Sequence, residues 1–516
     1  MHIFPIMLYL IYQEKKKGKN QMSELKTNLD FLYTTLKKVG LLSHAERIIS
    51  FDLQTICPSK GRENEGNTSN YIASMLFALI KDPKFDEASE YCYKNIEQLE
   101  PLDQELVKSL HREYLRHKNI TIEFQDEINK AQSDAYNHWL EAKDKDDFSL
   151  YAPYLKKIIE LEKKKIDLLD EKDPIPYNNL IDLYERGMKI EDYDNFFGTI
   201  KDYLVKKLPS VIEDNKKVRV DFLSRDVPIH LQEQFSKYLL NTIGFDFERG
   251  ALSTTEHPFT SPVAIDDNRV TTHYFLNNCV SNIFAIVHEG GHAIFGQCQP
   301  AESYDHFLDN SMSMGMHESV SRFYENVIGR SKEFIHCIYP EFQKIFGDIF
   351  SDVTENELYE GVNFVSPTYI RTDADEFTYT LHIIIRYELE KRIINEDLDV
   401  NELPKLWDDL YEKYLGIRPR NNKEGILQDV HWTGGFGYFP CYALGNAFNS
   451  IYFEKMQEEL DVKNLVSTGD FKPILKWMTD NVFKKANYLD SKKWIEEMTG
   501  KQFGPDSFMR YLDKKY

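Results

Sequence analysis

The sequence predicts a large, mainly helical protein with a small β element just before a pair of adjacent glycines. Three observations lead there. Apolar residues recur at helical spacing through most of the 516 residues. Alternating, strand-like runs are few and weak, at 218–223 and 269–275. Glycines and prolines gather around 249–300 and 416–445, where the chain must turn often.

Taken in order, residues 1–21 open with a short apolar run followed by lysines. The run is too short to span a bilayer, and its basic residues stand on the wrong side for a signal peptide. They are read as an extension, with the folded unit running from Met22 to Tyr516. Met22 begins "MSELKTNLDFLYTTLKKVG", a first helix of ordinary soluble character. "PLDQELVKSLHREYLRHK" starts with Pro101, suited to a first helical turn, and spaces Leu102, Leu106 and Leu110 by fours. The same pattern marks "YAPYLKKIIELEKKKIDLLDE" from Tyr151 and "DEFTYTLHIIIRYELEKRIINE" from Asp375. No fixed-period repeat, low-complexity tract or clear linker interrupts the series, so one catalytic unit over 22–516 is expected.

Sixty-three basic against 84 acidic residues give a net charge of −21, and no Lys/Arg stripe is present. Nucleic acid is therefore a poor partner, and no segment is apolar enough for a membrane span. An anionic ligand would need its own local arginines. The six cysteines are scattered with no CxxC pair, which fits reduced thiols in a cytoplasmic protein.

The stretch "IVHEGGHAIFG" at 286–296 carries the chemistry. His288-Glu289-Gly290-Gly291-His292 fits H-E-x-x-H. On a helix the two histidines project from one face and reach one ion, while Glu289 stands beside a water that the ion would activate. Zinc is the expected metal, with Co2+ or Mn2+ also suited to such a donor set. A third protein ligand is needed. The metzincin arrangement is excluded, because Phe295 and Cys298 occupy the positions where it requires Gly and His. Among downstream carboxylates, Glu302 follows too closely behind the helix. Glu318, in the helical stretch "GMHESVSRFYENVIGR", is the first choice, and Glu325 on nearly the same face is the second. His317 points about 100° away from Glu318 on a helix and does not join it at the ion.

Several separated stretches then resemble the Taq carboxypeptidase family of zinc metallocarboxypeptidases. They are "HPF" at 257–259, "DNRVT" at 267–271, "HEGGH", "HES" at 317–319, "IRTDAD" at 370–375 and "GILQDVHW" at 425–432, with "IISFDLQTICP" at 48–58 before them. All stand in the family's order, and the resemblance covers residue 25 to the last. Val320 replaces the family's usual Gln after "HES". The resemblance implies His288, His292 and Glu318 as metal ligands and Glu289 as general base. It also implies a helical, neurolysin-like fold with a deep groove, shared with angiotensin-converting-enzyme-like peptidases, and a homodimer.

A carboxypeptidase must hold a free C-terminal carboxylate, and the guanidinium fork matches that group. Arg371 is the first choice and Arg269 the second, ahead of Arg418 and Arg420. Arg269 has Asp267 as an alternative partner, and Arg371 has Asp373 or Asp375. His431, Tyr438 and Tyr442, in "HWTGGFGYFPCYALG", are candidate donors to the tetrahedral intermediate. Aromatic packing is the competing explanation for that stretch. His257 is expected near the substrate, and Asp373, Asp375 or Glu376 behind the metal-binding histidines. The function expected is hydrolysis of single residues from peptide C-termini with broad specificity. An oligopeptidase cutting internally, or an inactive peptide-binding relative, is the alternative. Gly290 and Gly291 each weaken the helix by about 1 kcal/mol relative to alanine. Their expected purpose is to let a neighbour, the "DNRVT" strand or the Glu318 helix, approach closely.

Overall fold

Helical periodicity becomes helix over most of the chain. The computed structural model describes residues 4–308, 312–396, 398–487 and 489–516, with side chains from Met22 onward except Ala486. The chain divides into two compact units. The smaller comprises residues 1–118 and 301–310. Its helices Phe4–Thr55, Arg62–Ile80, Pro83–Lys94 and Pro101–His117 enclose a core of Leu25, Leu32, Phe85, Ala88, Cys92 and Val107. The side chains of residues 1–21 lie outside the described ones; from Phe4 the backbone runs straight into the first helix. Glu302 belongs to a short helix of this smaller unit, Ala301–Asp305.

The larger unit, 119–300 with 311–516, holds every candidate site residue. The expected helices from Tyr151 and Asp375 form over Ala152–Asp167 and Glu376–Asn395, the second with the Asp375 carboxylate accepting from Thr378 N. The run at 218–223 is not a strand. Residues Asp221–Ser224 make a single 3-10 turn, in which Phe222 is buried while Arg219 and Arg225 pair with Asp221 and Asp352. Its alternation comes from an apolar plug between arginines, and among the described residues no strand lies beside it to complete a ladder.

The β element is as small as expected: β1 (Gly250–Thr254), β2 (Thr260–Ala264) and β3 (Asp267–Thr272), in the order β1-β3-β2. β1 runs parallel to β3 and β2 antiparallel to it, with a register shift between Pro262 and Ala264. Against this sheet packs the expected metal helix, Cys279–Gln297, capped by the Asn278 side chain accepting from Ser281 N. Its two glycines serve two neighbours. A Cβ on Gly291 would lie 3.0 Å from Ser321 Cα, so Gly291 admits the helix that carries Glu318, as expected. A Cβ on Gly290 would lie 2.7 Å from Ile243 in helix Ile229–Ile243, a neighbour not foreseen. The "DNRVT" strand instead approaches at Gly296, where a Cβ would fall 1.9 Å from Asn268 Oδ1.

The glutamate helix, Met314–Arg322, runs on into a π-helical segment, Phe323–Gly329. The packing helix Pro440–Glu459 lies against it: a Cβ on Gly445 would meet Glu318 Cγ at 2.9 Å, and Tyr452 OH donates to Ser319 O at 2.7 Å. The start of the glutamate helix rests on a buried carboxyl. Glu185 accepts from Gly315 N at 3.0 Å and from Ser491 Oγ, and is fully shielded from solvent.

Burial raises Glu185 to about 7, against the lowering effect of its hydrogen bonds from Ser313, Ser491 and Gly315. Between its ordinary value of 4.5 and 7 the folded state binds more protons than the unfolded one, so stability falls as pH rises through that window. Glu185→Gln removes this dependence. Thermal unfolding of the two proteins at pH 4.5 and 7.5 should show the variant gaining on the order of 2 kcal/mol relative to the parent at the higher pH.

Candidate active site

The i, i+4 spacing on the metal helix sets His288 and His292 side by side, with ring centroids 5.0 Å apart. Glu318 meets both: its Oε2 lies 3.8 Å from His288 Nε2 and 3.6 Å from His292 Nε2. One ligand atom from each of the three side chains falls within 4.8 Å of the others. His288 Nδ1 lies 2.9 Å from Glu325 Oε2, a carboxylate that would keep the proton on Nδ1 when an ion takes Nε2. His292 Nδ1 is buried without a hydrogen-bond partner among the described residues. His317 packs its ring 4.5 Å from that of His292 and is outside the ligand set.

Charge explains why these groups fit a cation. Burial alone would raise the Glu318 carboxyl, but His288, His292 and Arg322 hold it well below the usual carboxylate range. Glu325 is likewise brought to about 2, its burial outweighed by Arg322, His288 and Arg330. His288 shows the complementary effect. Burial opposes its charge, yet Glu318, Glu325 and Glu289 together raise it to about 9. Positive charge is favoured at the spot the imidazoles face, and a divalent ion answers the same demand as a proton. Arg322 braces both carboxylates, with Nε 2.9 Å from Glu318 Oε1 and Nη1 3.4 Å from Glu325 Oε2.

Glu289, one residue beyond His288, is buried and bonded by a residue of the sheet. Thr260, the first residue of β2, places Oγ1 2.7 Å from Glu289 Oε2 and 2.8 Å from its backbone oxygen.

A second charged cluster surrounds Arg371. Its Nε and Nη2 donate to Asp429, Nη2 at 3.0 Å, and Nη1 donates to Tyr379 OH at 3.2 Å. Asp429 is shared with the fully buried Arg386, and Gln428 Oε1 accepts from Arg371 N and Arg386 Nη2. One carboxylate thus stands in direct contact with two guanidiniums. By donor count, Nη1 and Nη2 of the buried Arg371 each have one N–H beyond these bonds. Tyr379 joins the two clusters, because the Arg322 guanidinium lies 4.1 Å from its ring centroid.

Beside Arg371, His431, Tyr438 and Tyr442 form one aromatic group. Tyr442 OH is 3.4 Å from His431 Nε2, and the rings of Tyr438 and Tyr442 meet edge to face at 5.1 Å. Burial, with Arg371 and Arg386 adding to it against Asp429, lowers His431 to about 4, so its ring is neutral at neutral pH. Burial raises the Tyr438 phenol; a hydrogen bond with Tyr442 lowers it and the charge of Glu318 raises it further. All three are half-buried, whereas Phe436 and Phe439 are core.

The family model described as Carboxypeptidase Taq (M32) metallopeptidase matches residues 31–516. The chain belongs to the Taq carboxypeptidase family. It is 35% identical over 495 residues to Carboxypeptidase 1 of Bacillus subtilis, covering 96% of this chain and 99% of that protein. It is 32% identical over 492 residues to Thermostable carboxypeptidase 1 of Thermus thermophilus, covering 93% and 96%. Among solved structures, the M32 carboxypeptidase from Deinococcus radiodurans R1 superposes with a TM-score of 0.91 at 29% identity, covering 95% of this chain and 99% of that one.

The Taq carboxypeptidase motifs have visible structural work. In D-x-R-x-T, Thr271 clasps Phe259 of "HPF": its N and Oγ1 meet Phe259 O at 2.9 and 2.8 Å, and Phe259 N meets Oγ1 at 2.8 Å. That clasp sets the start of β2 and with it Thr260. Asp267 takes Arg269 in a bidentate pair at 2.9 and 2.7 Å, the alternative foreseen for that arginine. The Gln-Asp of the last motif grips the arginine of I/V-R-x-x-A-D, so Arg371 pairs with Asp429 rather than Asp373 or Asp375. Asp375 is occupied as a helix cap, and Asp373 is exposed. Behind the metal helix stands Glu325, in place of Asp373, Asp375 or Glu376; those three precede or begin a different helix. His257 is exposed at the bend between β1 and β2, and Arg418 and Arg420 are exposed and paired with nearby acids. Thr260, Arg322, Tyr379 and Arg386 were not singled out by the sequence. Thr260 directly follows "HPF" and Asp429 lies inside a quoted motif, which were the available signals.

Glu325→Gln keeps the shape but weakens the acceptor that fixes His288. Affinity for an added divalent cation, measured by competition with a chelator, should fall roughly 10–100-fold.

Proposed function

We propose that this chain removes single amino acids from the C-termini of peptides, with broad specificity. His288, His292 and Glu318 would hold a divalent cation and Glu289 would serve as general base. The observation that carries the reading is the meeting of two imidazole Nε2 atoms with Glu318 Oε2, one residue from a buried carboxylate already bonded by Thr260. Two imidazoles and a carboxylate suit zinc, with cobalt and manganese as alternatives. Bound there, the cation supplies Lewis acidity toward a water molecule and the scissile carbonyl.

The rest is done by the chain. Glu289 takes a proton from the attacking water and returns it to the departing amine. Thr260 holds that carboxylate in one rotamer, and Tyr438 and His431 supply neutral donors to the oxygen on which charge develops, with Tyr442 behind them. Arg371 takes the substrate's C-terminal carboxylate on its remaining N–H pair. Arg269 is the weaker choice because Asp267 already holds its Nε and Nη2. His257, exposed beside β2, is proposed to touch the substrate farther from the reacting bond. The neurolysin-like groove and the homodimer are carried into this proposal from the family resemblance; the single catalytic unit over 22–516 rests on the lack of a clear linker, and both compact units would belong to it. A cytoplasmic setting is part of the proposal, supported by six scattered cysteines with no CxxC pair.

A mixed-peptide digest followed by mass spectrometry tests the function. Stepwise C-terminal ladders are expected, abolished by a chelator and absent with Glu289→Gln; internal fragments would overturn the reading in favour of an oligopeptidase. Arg371→Ala should lower kcat/KM by about 10–100-fold on free C-termini, the worth of hydrogen bonds to a charged group, and spare the slow cleavage of amidated peptides. Equal losses on both would remove Arg371 from its assigned role.

A further inference from the structure

The last helix, Asp506–Lys515, ends in a buried cation that the chemistry above does not use. The Lys515 side chain is 8% exposed and its Glu376 partner 2%. Lys515 Nζ donates to a Glu376 carboxylate oxygen and, at 3.0 Å, to the backbone oxygen of Asn326. Tyr511 OH joins the same two groups, 2.7 Å from Glu376 Oε1 and 3.2 Å from Asn326 O. Tyr516 OH adds a third donor to Glu376 at 3.1 Å.

The two groups so joined belong to different halves of the site. Asn326 lies in the π-helical segment Phe323–Gly329, next to Glu325, whose carboxylate fixes His288. Asn326 O accepts from Lys515 Nζ and is 3.2 Å from Tyr511 OH, both outside the segment, so this carbonyl is tied to the last helix. Glu376 is the first residue of the helix whose next turn presents Tyr379, the partner of Arg371 Nη1 and the ring beneath Arg322. A burial this deep makes the pair costly to keep unless geometry matters, since an apolar pair of the same shape would serve packing as well.

We propose that Lys515 is a positioning residue that aligns the metal-orienting carboxylate Glu325 with the substrate-binding arginine Arg371, by bridging Asn326 O and Glu376. The inference rests on the roles proposed above for the His288 cluster and Arg371. It differs from simple packing because both halves should respond together: His288 orientation through Glu325, and Arg371 through Tyr379.

The test uses the full chain carrying Lys515→Met with Glu376→Gln, which removes both charges and strands neither. Zinc affinity of the metal-free protein is measured by chelator competition, KM on a peptide with a free C-terminus, and melting temperature without metal. Expected are a melting temperature within a few degrees of the parent, zinc affinity at least tenfold weaker and KM severalfold higher. Lys515→Arg, which still reaches both acceptors, should restore affinity and KM. A folded double variant with zinc affinity and KM both within about twofold of the parent overturns the proposal. If the double variant does not fold, Lys515→Gln, too short to span both acceptors, is read the same way, a fall in zinc affinity supporting the bridge and an unchanged value overturning it. A parent protein that neither binds zinc nor trims C-termini would instead overturn the functional reading.

Discussion

The arrangement depends on a balance of buried charge around His288. Three carboxylates, Glu289, Glu318 and Glu325, face an imidazole that burial would otherwise keep neutral. Left alone, so many anions in a low-dielectric interior would not stay ionised. Arg322 and Arg330 stand against them from one side, and the position between the imidazoles and Glu318 draws positive charge from the other. Everything nearby serves to hold these groups at their distances: a sheet residue on Glu289, a π-helical turn under Glu325, and helix starts pinned by Glu185 and Asp375.

Such spacing is possible only where backbones come closer than side chains allow. Gly291 lets the glutamate helix reach the metal helix, Gly445 lets the packing helix press on Glu318, and Gly296 receives Asn268 of β3. Each gives up helix propensity for contact. The two glycines inside H-E-x-x-H are therefore contacts on two different sides, one toward the glutamate helix and one toward helix Ile229–Ile243.

Much of this was legible in the sequence. Periodicity located the helices at Pro101, Tyr151 and Asp375, because an amphipathic face is a local property of the chain. The meeting of His288, His292 and Glu318 was legible because i, i+4 spacing and a following helix leave few choices. What escaped were partners set by tertiary placement. Residues 218–223 alternate like a strand, but the alternation reflects Phe222 plugging a turn between arginines. Nothing local distinguishes Glu325 as the group behind His288, or Asp429 as the partner of Arg371, since each meets its partner across 37 or 58 residues of chain. Thr260 escaped for the same reason: its role exists only once β2 lies on the metal helix.

Asp429 is a shared anchor. Arg371 and Arg386 draw on one carboxylate, and Gln428 ties the backbone of the first to the side chain of the second. Groups bound in this way do not contribute independently. A change at Arg386, wholly enclosed in protein, alters the fork of Arg371 as surely as a change at the fork itself. The I-R and Q-D stretches, 57 residues apart, are therefore one unit with respect to mutation. Substitutions at the two stretches are expected to couple rather than add.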